Sequence, residues 1–137
     1  MRRRKVSKSV HRSPMVMIAL LAALAAIQPC TLSGTEMLQE EALERHLESA
    51  EQAFRRGVEL EETNPQSARE QYERALLHYE RLVRDAGVRN GKLYYNLGNA
   101  YFRLGDIGRA ILNYERAVRY MPGDENIRAN LEYARFA

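Results

Sequence analysis

One short pattern occurs twice in this chain and narrows the fold more than any other feature. Ala68-x3-Tyr72-x2-Ala75 recurs as Ala110-x3-Tyr114-x2-Ala117, at an offset of 42 residues. The flanking words recur as well: Gln71-Tyr72-Glu73-Arg74-Ala75 answers Asn113-Tyr114-Glu115-Arg116-Ala117. Spacings of three and four place all three residues on one side of a helix. Two small residues around one large ring leave room for a neighbouring helix to come close. A unit repeated at this period cannot bury its apolar face alone, so the copies must stack.

The rest of the chain agrees with a helical reading. From Met37 to Ala137 it is rich in Glu, Ala, Leu, Arg and Gln, all strong helix formers, and no stretch alternates with a period of two. Breaks fall at Asn64-Pro65, Ala86-Gly87 to Asn90-Gly91, Gly105-Asp106 and Met121-Pro122-Gly123-Asp124. They delimit five expected helices, 37–62, 67–86, 92–104, 107–120 and 125–136. Asp106 and Asp124 are the expected N-caps of the last two, because a short side-chain oxygen accepts free first-turn N–H groups. The fold class is all-α.

The second copy is the fuller one. It reads Tyr94-x2-Leu97-Gly98-x2-Tyr101, then Ala110-x3-Tyr114-x2-Ala117, then Pro122. This resembles the tetratricopeptide (TPR) repeat, with Tyr where Trp and Phe are usual, and it fills a 34-residue unit over 91–124. Gly98 and Ala110 let the two helices of the pair approach, while Leu97, Tyr101 and Tyr114 fill the space around them. Ala117 leaves room for the next helix, and Pro122 cannot continue its own. A degenerate copy spans 48–86, where Gly57 takes the small-residue role beside Ala68, Tyr72 and Ala75. Its second helix is longer, and Gly87-Val88-Arg89-Asn90 replaces the usual Pro. In helix 125–136, Ile127, Leu131 and Ala134 form one apolar stripe. Glu132 stands where Gly98 stood, which hinders a further packed helix. The expected architecture is a TPR helix-hairpin solenoid of about two repeats plus a C-terminal closing helix, over residues 35–137.

Residues 1–34 differ in kind. Arg2, Arg3, Arg4, Lys5, Lys8 and Arg12 put +6 on the first twelve residues, with no acid among them. The other 15 Lys/Arg face all 18 Asp/Glu, so residues 13–137 carry −3. The basic pI is thus a property of the N-terminus, and a nucleic-acid reading loses its support. Met15 to Ile27 is uncharged and apolar, and small and polar residues follow it. These are the parts of an export signal. Thirteen helical residues span about 20 Å, short against a hydrocarbon core of about 30 Å. The segment is read as a signal peptide or, alternatively, as an uncleaved N-terminal membrane anchor with its Lys/Arg on the cytoplasmic side. Pro29 directly before Cys30 argues against lipid attachment there. The lone Cys also excludes an internal disulfide.

A longer run sharpens the resemblance. Leu93-Tyr94-Tyr95-Asn96-Leu97-Gly98-Asn99-Ala100-Tyr101, then Ala110-Ile111-Leu112-Asn113-Tyr114-Glu115-Arg116-Ala117, then Asn130-Leu131-Glu132, resembles the TPR region of BatE-type proteins of Bacteroides aerotolerance (Bat) operons. The likeness covers residues 48–136. It implies an exported scaffold, periplasmic or associated with the inner membrane and facing the periplasm. It further implies a protein or peptide partner, with von Willebrand A-domain membrane proteins as candidates. Bat-type proteins commonly continue into an SH3-like domain and a membrane segment beyond the matched region. The alternative is a generic membrane-tethered TPR interaction module unrelated to Bat operons. Neither reading fixes the oligomeric state.

The TPR resemblance also implies where a partner sits, in the groove lined by the first helix of each pair. With Tyr94, Leu97, Gly98 and Tyr101 turned to the core, the groove candidates on helix 92–104 are Lys92, Tyr95, Asn96, Asn99, Phe102 and Arg103. Asn126, Asn130 and Tyr133 extend that surface onto the closing helix. Clamps for a C-terminal carboxylate need basic residues on the flanking helices. The corresponding slots hold Phe54 and Val58 on one side and Asn126 and Asn130 on the other, so no such clamp is expected. Tyr72, Tyr79, Tyr114 and Tyr120 read as core or outer-face residues. His46 and His78 read as isolated, so no metal site is expected. Glu40, Glu41, Glu44, Glu48 and Glu51 read as a solvated helical face. No phosphate loop, nucleophile elbow or acid–base pair stands out. The expectation is a binding protein with no cofactor, no nucleic acid partner and no enzymatic activity.

Overall fold

The break residues do their work through hydrogen bonds at the helix ends. A computed structural model describes residues 34–137 as five helices: α1 Gly34–Leu60, α2 Pro65–Arg84, α3 Gly91–Arg103, α4 Ile107–Tyr120 and α5 Glu125–Phe136. No strand occurs among the described residues. The signal or anchor expected over 1–34 lies outside them, apart from Gly34. Asp106 Oδ1 accepts from the Arg109 N–H at 3.1 Å, and Asp124 Oδ1 accepts from Asn126 and Ile127 at 3.0 and 3.2 Å. Both aspartates therefore cap as expected. Asn64 and Asn90 cap in the same way, accepting from Ser67 at 3.1 Å and Leu93 at 2.8 Å. Pro65 opens α2 two residues earlier than expected, since a proline at the first helical position gives up only an N–H that had no partner. Gly87 and Gly105, with φ of 65° and 81°, supply the left-handed turns that follow α2 and α3.

α1 packs along α2 and α3 along α4; α5 then lies on α4, and α2 joins the two pairs by packing on α3. Each pair closes on the same contact. A Cβ built on Gly57 meets the Tyr72 ring at 2.6 Å, and one on Gly98 meets the Tyr114 ring at 2.5 Å. Neither position tolerates a side chain without displacing a ring that is 2% exposed. Ala68, Ala75, Ala110 and Ala117 are buried beside these rings, as the repeated pattern requires. Leu97, Tyr94 and Tyr101 are buried on α3. Tyr79 and Leu82 of α2 join Leu93, Tyr94 and Leu97 of α3 in one continuous core. α2 has 20 residues against 14 in α4, which is the extra length expected of the first copy. Pro122 lies exposed in the turn after α4, and its carbonyl accepts from the Arg128 side chain.

α5 buries Ile127, Leu131 and Ala134. Glu132 is exposed and bonds Arg135 at 2.9 Å, and Arg135 also reaches Glu115 of α4 at 3.3 Å. The position that corresponds to Gly98 of α3 is thus charged and engaged on α5.

The two buried tyrosines differ at their hydroxyls. Tyr114 donates to Asn99 Oδ1 at 2.8 Å. The buried Tyr72 hydroxyl makes no well-formed hydrogen bond, although the Glu61 carboxylate lies near enough to help burial raise its pKa. Tyr72→Phe should therefore leave the urea midpoint unchanged or raise it. Tyr114→Phe should lose ~0.5–1.5 kcal/mol, the usual net worth of one hydrogen bond. Overpacking at Gly98→Ala should cost ~1–3 kcal/mol. Gly108→Ala, where a Cβ meets nothing within 4 Å, should gain up to ~1 kcal/mol. Equal effects at the two glycines in urea unfolding would contradict the ring-contact account.

Candidate functional site

α1, α3 and α5 share one face of the domain, and two hollows open on it. The larger, about 420 Å³, has aromatic walls from Phe54, Tyr95, Phe102 and Tyr133 and a polar lining from Asn99, Arg103 and Asn130. Phe102 and Tyr133 meet with ring centroids 5.5 Å apart, which ties α3 to α5 at the rim. Tyr114 reaches the lining from below.

The polar lining is a connected network. Asn99 Oδ1 accepts from Tyr114 Oη at 2.8 Å and from Asn130 Nδ2 at 3.0 Å. Asn130 Nδ2 also donates to Tyr95 Oη at 3.1 Å. This uses both lone pairs of Asn99 Oδ1 and both protons of Asn130 Nδ2. It leaves Asn99 Nδ2, Asn130 Oδ1 and the Tyr95 hydroxyl proton without partners among the described residues. Donors and an acceptor thus stand side by side against aromatic walls, the complement of a peptide unit. Arg103 is committed elsewhere: its Nη1 bonds both oxygens of Glu61 at 2.7 and 2.8 Å, linking the C-terminal ends of α1 and α3.

The smaller hollow, about 200 Å³, lies between α1 and the start of α3. Leu43, Leu47, Leu82, Val88 and Leu93 form it, with Glu44, Glu51, Lys92 and Asn96 also lining it. The expected groove residues therefore divide. Tyr95, Asn99, Phe102, Arg103 and Asn130 meet in the larger hollow, and Lys92 and Asn96 in the smaller. Asn126 lines neither; it is exposed in the first turn of α5, where its N–H bonds the Asp124 cap.

Burial raises the pKa of two tyrosines beneath this face. Burial pushes Tyr114 up to about 12, with Tyr95 adding to the shift and the Asn130 side chain opposing it. Burial also pushes Tyr79 up to about 12, helped by the Glu51 charge and opposed by a hydrogen bond from the Asn96 side chain. Asn96 is therefore placed between the groove and a core hydroxyl. Among the described residues, no three His, Cys, Asp or Glu gather where a metal ion could bind.

Some groups here were not legible beforehand. The sequence places Tyr114 in the core or on the outer face and gives Glu61 no role, whereas folding brings Tyr114 to the larger hollow and Glu61 to Arg103. Leu43 and Leu47 continue toward Ala50 and Phe54 at helical spacing, a stripe the sequence does carry. His46 and His78 are not isolated: their Nδ1 atoms lie 3.0 Å apart across the α1–α2 pair. Only folding brings two residues 32 apart into contact.

Once this geometry is in place, comparison with known proteins adds one finding. Residues 91–124 match the tetratricopeptide repeat family. This is the segment running from the start of α3 through α4 to the cap of α5. No curated protein and no solved structure matches the chain.

The histidine contact has a pH signature. Burial, then the charges of His46, Arg81 and Arg74, lower the His78 pKa from its ordinary 6.5. On acidification the unfolded chain therefore takes up the proton first. The contribution is intact above about pH 6.5 and is lost as pH falls through the depressed folded value. The melting temperature of the native chain should drop more between about pH 7.5 and pH 5 than that of His78→Gln. Parallel curves for the two proteins would reject this.

Proposed function

We propose that the chain is a protein-binding adaptor without catalytic activity, whose α1–α3–α5 groove holds an extended segment of a partner. The observation that carries this reading is the Asn99–Asn130–Tyr95 network. It leaves side-chain amide groups open to a partner's main chain beside aromatic rings, the usual composition of a recognition groove. The match of 91–124 to a repeat family used for protein–protein contacts supports it. With Arg103 paired to Glu61, the larger hollow suits a main chain with apolar side chains better than a terminal carboxylate. A groove three helices wide is short, so affinity for an isolated segment should be modest. Tethering both proteins at one membrane raises the local concentration enough to compensate.

The proposed setting is the bacterial cell envelope. Support comes from the basic and apolar segment 1–34 and from the likeness of residues 93–101, 110–117 and 130–132 to Bat-type proteins. In that setting the chain is exported, lies in the periplasm or on the inner membrane, and helps assemble a complex with von Willebrand A-domain membrane proteins.

Affinity capture by the full chain from envelope fractions should recover an A-domain membrane protein. The double variant Asn96→Ala/Phe102→Ala should weaken capture of the purified protein by about tenfold, equivalent to ~1.4 kcal/mol, with its helical circular dichroism unchanged. Undiminished capture overturns the groove assignment. Mass spectrometry of the mature N-terminus tests export: an intact Met1 or Arg2 rejects cleavage and favours an uncleaved anchor.

A further inference from the structure

We propose that the smaller hollow is the specificity pocket of the groove, and that it takes one large apolar side chain flanked in the partner by Lys or Arg. The proposal rests on the reading of the groove as a protein-binding surface and names the kind of segment it selects.

The first argument is the lining. Leu82 and Leu93, each 4% exposed, belong to the core and give the hollow a fixed floor. Leu43 and Val88 pack against the core from the side. Leu47 is 39% exposed and stands as an open wall. Its volume of about 200 Å³ exceeds the ~150 Å³ of apolar space that holds a benzene-sized group. One aliphatic or aromatic side chain therefore fits and two do not. An apolar hollow rimmed by charged groups is the usual form of a contact site.

The second argument is charge. Glu44 and Glu51 of α1 also line the hollow, and neither makes an ion pair within the described domain. Lys92 of α3 lines it too and is likewise unpaired. The α1 side is the stronger field. Residues 34–51 hold Glu36, Glu40, Glu41, Glu44, Glu48 and Glu51 against a single Arg45. A cation beside the apolar anchor meets Glu44 and Glu51 at the rim, and the surrounding field raises its encounter rate. An acidic neighbour is repelled from the α1 side.

The third argument is continuity. Lys92, Asn96, Asn99 and Phe102 follow one another at spacings of four, three and three along α3. The first two line the smaller hollow and the last two the larger. A segment anchored in the leucine hollow thus continues over Asn96 toward the open amides of Asn99 and Asn130.

A random peptide library displayed on phage, panned on the full chain, provides the test. Enriched peptides should share a Leu, Ile, Met or Phe beside a Lys or Arg. In fluorescence anisotropy titrations, replacing that anchor by Ala should weaken binding about tenfold or more, and Leu47→Asp in the protein should do the same. Leu47 is exposed enough for that variant to fold, which circular dichroism checks. Glu44→Gln/Glu51→Gln should weaken binding at low salt and flatten its salt dependence, with the apolar preference kept. Enrichment of acidic or uncharged peptides overturns the proposal. Peptides sensitive to Phe102→Ala but indifferent to Leu47→Asp overturn the pocket and leave the groove standing. A panning that enriches nothing overturns both. A dimer in sedimentation equilibrium that Leu47→Asp converts to monomer makes a second copy the occupant, and that too overturns the proposal.

Discussion

A glycine of one helix resting on a buried tyrosine ring of the next sets the spacing of both hairpins. At Gly57 on Tyr72 and at Gly98 on Tyr114 there is no room for a Cβ. The helices therefore approach to the thickness of a ring, and the alanines on either side are the residues small enough to follow. Interiors pack too densely for such a contact to be shifted without moving its neighbours. The consequence at the groove is direct. With the Tyr114 ring held under Gly98, its hydroxyl emerges beside the very next residue of α3, Asn99. Asn99 is thereby turned toward Asn130 of α5. A packing rule inside one hairpin thus orients the polar network on the surface. In the first hairpin the ring is placed alike, but its hydroxyl makes no well-formed hydrogen bond; the nearby Glu61 carboxylate is bonded to Arg103. The two copies share a skeleton and differ in the groups they offer to the groove.

Much of this was legible because helix periodicity and turn chemistry are local. Ala68, Tyr72, Ala75 and their counterparts at 110, 114 and 117 specify which face is buried. Pro65, Gly87, Gly105 and the capping aspartates mark where helices stop and start. The division of the groove was less legible. Lys92 and Asn96 fall on the same side of α3 as Asn99 and Phe102, and periodicity cannot tell them apart. They separate because α1 brings leucines to the start of α3 and Phe54 to its end. Asn126 fell outside for a similar reason. It shares a helix face with Asn130, but it lies one turn nearer the start of α5, and only Asn130 reaches the hollow. The His46–His78 contact lay beyond sequence reading altogether, because its distance is fixed by the register of α1 on α2.

Polarity is distributed unevenly over the shared face. The larger hollow is polar but carries little free charge, since its lining is amides and aromatic rings and its arginine is paired. A neutral polar lining contributes direction more than strength, because each hydrogen bond to a ligand replaces one to water. The smaller hollow is apolar with unpaired charge about it, the combination that supplies both desolvation and long-range attraction. Direction at one end and affinity at the other is a coherent arrangement for reading an extended chain.

The same division bears on stability. Contacts within each hairpin are far more extensive than those between α2 and α3. The two hairpins are further linked by Arg103, whose Nη1 is shared between both Glu61 oxygens, and by the Tyr101 hydroxyl donating to Glu80. Partly exposed ion pairs of this kind contribute little by themselves. In a stacked array, stability is a sum of unit terms and neighbour terms, and here the neighbour term is the lighter one. A ligand seated between α1 and α3 touches both hairpins at once. Its binding free energy therefore adds to the weakest interface of the domain, and binding and hairpin docking are linked by mass action. The α1–α3 groove and the α2–α3 interface join the same two hairpins, so a ligand held in the groove would stiffen the array at its lightest contact.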